Sequence, residues 1–367
     1  MQAQAIPIKF EKFQSAKDDD CQARILAARE KLGKRLVILG HHYQHESVYR
    51  HADFSGDSLK LSKYCENLDA EFIVFLGVHF MAEVADILSR PDQIVILPDL
   101  AAGCSMADMA NLAKVERSYR ELNKVLNFDE DITPVTYINS AADLKAFCGE
   151  HGGIVCTSTN APKILDWSFK QREKVLFFPD QNLGRWSGYK MGIPLEQMPI
   201  WDPDLPQGGL TIEEIKNAKI LLWKGHCAVH QMFRLQNIEH FRKLHPDGKV
   251  ISHPEAPFEV CLNSDFVGST EYILKTVTEA EPNTKWLVGT ELNLVTRLAE
   301  QMKPQGKLVQ FMSHVVCECS TMARIDPQHL AWCLENLVEG NIVNQITVPA
   351  DEAELAKLTL DRMLAAS

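Results

Sequence analysis

Three stretches of this chain repeat one pattern, two short apolar runs, a helical segment and a third apolar run, and a cysteine comes after each unit. The first unit takes in residues 35–43, 72–79 and 95–99, the second 134–139, 153–160 and 175–180, and the third 249–255, 265–270 and 286–291. Cys104, Cys227 and Cys319 follow them. Alternating apolar strands and crossover helices build parallel sheets, and every strand of such a sheet delivers its carboxyl end to the same side. A triplicated unit can therefore set three groups of strand ends around one axis, where equivalent loops offer three thiolates to one metal site. The expected fold is α/β, with three similar three-layer α/β/α domains about a pseudo-threefold axis. Their expected bounds are 1–104, 105–226 and 227–319, with residues 320–367 packing back on the first domain.

A chain of 367 residues is long enough for two or three cores. Its net charge of −11, with no run of Lys and Arg forming a stripe, argues against nucleic acid or an anionic membrane as a partner. The first ten residues lack the charged leader, apolar core and small-residue cleavage site of a secretory signal. No run approaches the ~20 apolar residues of a membrane span. Ten irregularly spaced cysteines in a chain this long do not read as a disulfide framework, so a reducing cytoplasm is expected.

Several local expectations follow. Residues 53–57 read as a polar turn before a helix from Ser58, and 181–207, rich in Gly, Pro and Trp, as an irregular functional loop or lid. Residues 350–366 read as a C-terminal helix returning to the first domain. Cys104 falls just after a strand at the expected start of a helix, where the positive helix end would favour a thiolate.

Ligands of open α/β sheets bind beyond the carboxyl ends of the strands. Polar groups gather there in all three units: His41, His42 and Tyr43; Tyr137 and Asn139; Ser158; His253 and Glu255; Ser269 and Thr270. One such His is most often structural, but a matching set in three units points to a shared pocket. His226, Cys227 and His230 lie close in sequence, without the second ligand pair of a zinc finger. Cys317 and Cys319 form a C-x-C pair, and the remaining cysteines sit in apolar or helical contexts that suit core packing. Three thiolates suit either a closed zinc site with a fourth ligand such as His230, or a [4Fe–4S] cubane with one iron left open. Spacing leaves both, and with the zinc option a metal-dependent hydrolase or aldolase.

The segments Gly40-His-His-Tyr-Gln44, Gly56-Asp-Ser-Leu59, Pro98-Asp-Leu-Ala-Ala-Gly-Cys104, Tyr137-Ile-Asn139, Cys156-Thr-Ser-Thr-Asn160, Phe178-Pro-Asp-Gln-Asn-Leu-Gly184, Gly225-His-Cys-Ala-Val-His230, His253-Pro-Glu255, Asp265-Phe-Val-Gly-Ser-Thr270 and Cys319-Ser-Thr-Met-Ala323 together carry a resemblance. Over nearly its whole length the chain resembles the quinolinate synthase family, iron–sulfur enzymes of NAD biosynthesis. The resemblance implies condensation of iminoaspartate with dihydroxyacetone phosphate to quinolinate, with loss of phosphate and water. It implies a [4Fe–4S] cluster on Cys104, Cys227 and Cys319. It implies substrate binding by His41, Ser58, Tyr137, Ile138, Asn139, Ser158, His253, Pro254, Glu255 and Thr270, with Tyr43, Tyr137, His253 and Glu255 in the chemistry. Transient contact with an L-aspartate oxidase, the source of the unstable imine, would fit. The chain departs from common family patterns in Cys317-Glu-Cys319-Ser320 around the third ligand and in Ala256 after the His-Pro-Glu run.

Overall fold

A computed structural model describes residues 6–65, 67–315 and 318–366. The first unit comprises residues up to Cys104 together with Glu318–Val348, and the second Ser105 onward with Pro349 to the C-terminal end. Three predominantly parallel sheets carry the fold.

In the first unit the strands are β1 (Leu36–His41), β2 (Phe54–Gly56), β3 (Phe72–Leu76) and β4 (Ile94–Ile96). The second unit holds β5 (Ile132–Tyr137), β6 (Ile154–Cys156), β7 (Lys174–Phe178), β8 (Ile200–Trp201) and β9 (Ile220–Trp223) in one sheet. Its other sheet is β10 (Lys249–Ser252), β11 (Phe266–Val267), β12 (Lys285–Gly289) and β13 (Leu308–Phe311). A short β14 (Gln345–Ile346) adds antiparallel to β4.

The spatial orders β2-β1-β3-β4, β6-β5-β7-β9 and β11-β10-β12-β13 are one four-strand pattern used three times. The expected turn at 53–57 is instead an edge strand: Phe54–Gly56 pairs with β1 in parallel, Leu39 opposite Phe54 and His41 opposite Gly56. Residues 95–99 therefore end the fourth strand of the first sheet, whose counterparts are β9 and β13 rather than β7 and β12. The three cysteines gain equivalence by this, since Cys104, Cys227 and Cys319 each follow a fourth strand.

The central strands are mostly apolar because helices cover both faces; every residue of β3 and of β7 is buried. Beside the second sheet Phe128, Phe147, Phe178, Trp201 and Trp223 share one core, and truncating such a ring to Ala typically costs ~3–5 kcal/mol. Residues 181–207 are not the expected open loop: Gln181–Lys190 is a helix, capped by the Asp180 side chain on the Leu183 amide. Gly184 and Gly188 weaken the local helix signal but serve close packing. A Cβ on Gly184 would meet Leu222 at 2.6 Å and one on Gly188 would meet Met198 at 2.4 Å, so one helix face must be bare to reach the sheet.

The C-terminal stretch divides. Pro327–Val338 packs on Asp18–Leu32 in the first unit, tied by Arg24 to Glu335 at 2.5 and 2.7 Å. The last helix, Ala350–Ala366, lies instead against Ala142–Glu150 and β6 of the second unit, with Arg362 donating to the Gly153 carbonyl at 2.7 Å. The expectation that all of 320–367 returns to the first domain is thus corrected. The small residues of Ala142–Glu150 admit the close approach: a Cβ on Gly149 would stand 2.3 Å from the Leu355 carbonyl oxygen. Among the described residues no helix is long and apolar enough to cross a membrane.

Candidate active site

In the first unit β1 ends on His41, buried, whose Nδ1 accepts from the Tyr43 amide at 3.1 Å while the two rings meet edge-on at 4.6 Å. His42 is buried too, with Nδ1 3.0 Å from the Tyr49 hydroxyl. Tyr43 stays half-buried. Ser58, half-buried, starts the helix Ser58–Cys65 two residues beyond β2, and its carbonyl accepts from Ser62. The segment after Glu318 comes to this same strand end, with Arg324 on Asp99 at 2.7 Å and Gln44 on the Met322 sulfur at 3.3 Å. That packing carries Cys319, its Sγ 3.4 Å from the Thr321 hydroxyl. Cys104 lies in an open turn, and only a three-residue 3-10 turn, Ala107–Met109, comes soon after it. The expected helix start at Cys104 is absent.

The second unit brings its two sheets together at their carboxyl ends. Tyr137 at the end of β5 donates its hydroxyl to Glu255 Oε1 at 2.7 Å, a contact between residues 118 positions apart. Glu255 Oε2 lies 3.1 Å from His230 Nδ1, and the His230 and His253 rings stack at 4.9 Å. His253, Pro254 and Glu255, just past β10, are all buried. Burial holds His253 neutral, near 3, against the pull of Glu255. Burial opposes ionisation of Glu255, but His253, His230 and the Tyr137 hydroxyl outweigh it and hold the carboxyl down at about 2. Ile138 is buried, Asn139 and Ser158 are half-buried, and Thr270, buried, opens Thr270–Glu279. Asn139 Oδ1 is buried without a hydrogen-bond partner. Two residues past β2, β6 and β11 stand Ser58, Ser158 and Ser269, the same position in three sheets.

One buried carboxyl was not anticipated. Asp180, fully buried after β7, accepts the Leu183 amide at 2.7 Å on one oxygen. Burial, and next the charge of Glu255, push its pKa well above the usual carboxylate range, while nearby amides including that of Cys227 oppose them. Two carboxyls whose pKa values are driven apart in this way form an arrangement common at reacting centres. Asn182 Nδ2 donates to the Glu255 carbonyl at 3.1 Å and fixes that turn. The only sequence signal for this corner was the run Phe178-Pro-Asp-Gln-Asn-Leu-Gly184.

Relatives match the sequence over almost the whole chain. A family model described as quinolinate synthetase A protein matches residues 23–365. The chain belongs to that family. A quinolinate synthase of Herpetosiphon aurantiacus is 52% identical over 367 residues, covering 99% of this chain and 97% of the relative. One of Rhodopirellula baltica is 51% identical over 96% of this chain and 92% of its own length, and one of Corynebacterium glutamicum 51% identical over 96% and 89%.

Set against what membership of the quinolinate synthetase A family leads one to expect, the cysteines divide into two populations. Cys21, Cys65, Cys148, Cys156, Cys261 and Cys333 are buried, whereas Cys104, Cys227 and Cys319 are partly exposed. Desolvation pushes the Cys261 thiol up to about 12 and raises the Cys148, Cys156 and Cys333 thiols well above the usual thiol range, which makes these inert packing groups. Cys317 lies outside the described residues. Cys227, His230 and Glu255 hold their donor atoms within 4.8 Å of one another. Glu255 takes the place that spacing had suggested for His226, whose amide is turned to the Met109 sulfur at 3.4 Å.

Proposed function

We propose that the chain is a quinolinate synthase, condensing iminoaspartate with dihydroxyacetone phosphate to quinolinate with loss of phosphate and water, with a [4Fe–4S] cluster on Cys104, Cys227 and Cys319. One observation carries the reading: of nine described cysteines, the three partly exposed ones each follow the fourth strand of a sheet. Three thiolates from three loops fit a cubane, which when bound supplies one open iron as a Lewis acid for ligand oxygen.

The chain's own residues have the remaining work. His41, Ser58, Ser158 and Thr270 hold the anionic groups of the substrates through ring N–H, hydroxyl and helix-end amide donors. Asn139 Oδ1, buried and without a partner, accepts from a ligand N–H, with Ile138 and Pro254 excluding water beside it. His253, neutral and buried, takes a proton from carbon or nitrogen. Glu255 balances the imidazolium so formed, and Tyr137 and Tyr43 donate protons to departing oxygen. The substrates are small molecules, and an L-aspartate oxidase would hand over the imine. Ten irregularly spaced cysteines in a chain this long fit a reducing cytoplasm.

The test is an anaerobic assay for quinolinate combined with iron analysis. Cys104→Ser, Cys227→Ser and Cys319→Ser should each lose turnover and most iron, because a hydroxyl is a poor substitute for thiolate. Cys317→Ser should keep both. Full iron in Cys319→Ser, with loss in Cys317→Ser, would move the third ligand; activity in all three would end the cluster reading.

A further inference from the structure

Cys227, His230 and Glu255 form a donor set that the cluster reading uses only in part. Sulfur, imidazole nitrogen and carboxylate oxygen lie within 4.8 Å of one another in a single unit of the fold. Ligands of a tetrahedral zinc ion stand ~2.0–2.3 Å from the metal, and so ~3.5 Å apart. His230 Nδ1 and Glu255 Oε2 are already at 3.1 Å, so a small movement of the Cys227 loop closes the triangle. The outer shell is in place as well. Glu255 Oε1 is held by the Tyr137 hydroxyl at 2.7 Å, and Asn182 fastens the Glu255 carbonyl at 3.1 Å, the kind of support that orients a ligating carboxylate. His230 and Glu255 are 1% and 4% exposed while Cys227 is half-buried, which leaves the fourth position open on the thiolate side.

We propose that Cys227, His230 and Glu255 bind one zinc ion in the cluster-free protein. Thiolate and imidazole select a borderline metal over Mg²⁺ or Ca²⁺, which take oxygen ligands. The site stands whether or not the chain makes quinolinate, because it needs neither Cys104 nor Cys319. A second consequence does rest on the cluster reading: Cys227 cannot serve both metals, so zinc and cluster exclude each other.

The probe is Co²⁺ titrated anaerobically into the cluster-free full-length chain, followed by its thiolate-to-cobalt absorption, with Zn²⁺ as competitor. One equivalent should bind with a thiolate band and be displaced by zinc. Cys104→Ser and Cys319→Ser should bind as the parent does, whereas Cys227→Ser should lose the band. Tyr137→Phe, which leaves all three ligands in place, should weaken binding ~10–100-fold as outer-shell losses do. His230→Ala should lose at least as much, with circular dichroism checking its fold. Loss of the band in Cys104→Ser or Cys319→Ser to the extent seen in Cys227→Ser would place the metal among three thiolates and overturn the proposal. So would undiminished binding by Tyr137→Phe and His230→Ala together. Prior loading with zinc should slow uptake of iron and sulfide at least tenfold; unchanged uptake would overturn the exclusion. A chain that binds cobalt as described but makes no quinolinate would refute the enzymatic reading and leave the zinc site standing.

Discussion

His51, on the flank of the first sheet, and His253, at the end of β10, are both buried and both held neutral, His51 near 4 and His253 near 3. Desolvation is the first cause in each case. Their partners differ. His51 Nε2 sits 2.5 Å from the Gln22 side chain and its carbonyl accepts from Arg29, while the charges of Arg29 and Arg50 push the same way as burial. His253 faces an ionised carboxylate and a second imidazole, in a corner where the pKa of Asp180 is raised and that of Glu255 lowered. A depressed pKa therefore marks burial in both places, and only the second offers a set of groups that can pass a proton on.

That distinction predicts the largest effects at the β10 end. His253→Ala and Glu255→Gln should each lower kcat for quinolinate by ~10²–10⁴, the usual contribution of a general acid or base, with iron content unchanged. His51→Gln should leave kcat within about twofold, since nothing it touches faces the site. Loss of iron along with activity in the β10 variants would make them structural fasteners, and the two histidines would then differ only in location. Tyr137→Phe comes next. A hydrogen bond to a charged group is worth ~1.5–3 kcal/mol, or roughly 10–150-fold. Because the hydroxyl favours the carboxylate, its removal raises the Glu255 pKa, and the acid limb of the rate profile should move to higher pH. Smaller still, Ser58→Ala, Ser158→Ala and Thr270→Val should raise KM about tenfold with kcat nearly kept, as expected of contacts that bind the ligand without taking part in the chemistry. A fall in kcat at equal KM would place these hydroxyls in the chemistry.

The repeated apolar runs made the three sheets legible, and the polar strand ends showed where a site should lie. Phe54–Gly56 was missed because a three-residue edge strand ending in Ser and Gly carries no period of its own. The helix Gln181–Lys190 was missed because two glycines that serve close packing weaken its local helix signal. Asp180 and the pairing of Tyr137 with Glu255 depend on contacts between different sheets or loops, and no local pattern encodes those. The division of the cysteines was partly visible. Apolar neighbours marked Cys148, Cys156 and Cys333 as core, but the equivalence of Cys104, Cys227 and Cys319 needed the spatial strand order.

The smallest effect separates the two histidines by stability instead of rate. An unfolded histidine titrates near 6.5, whereas His51 in the fold stays neutral down to about 4. Between those values the unfolded chain binds a proton that the folded chain does not, so stability is full above 6.5 and falls as pH drops toward 4. His253 pulls in the same direction over a range reaching lower, to about 3. His51→Gln removes the first contribution and keeps an amide that can reach Gln22. The urea midpoint of the variant, measured at about pH 7 and about pH 5, should therefore drop less on acidification than the parent's. Its remaining acid sensitivity belongs to His253 and to carboxylates such as Glu255, whose lowered pKa acts with the same sign at still lower pH. Parallel losses in variant and parent would mean that His51 takes up its proton in the fold as readily as in the unfolded chain, and its likeness to His253 would disappear.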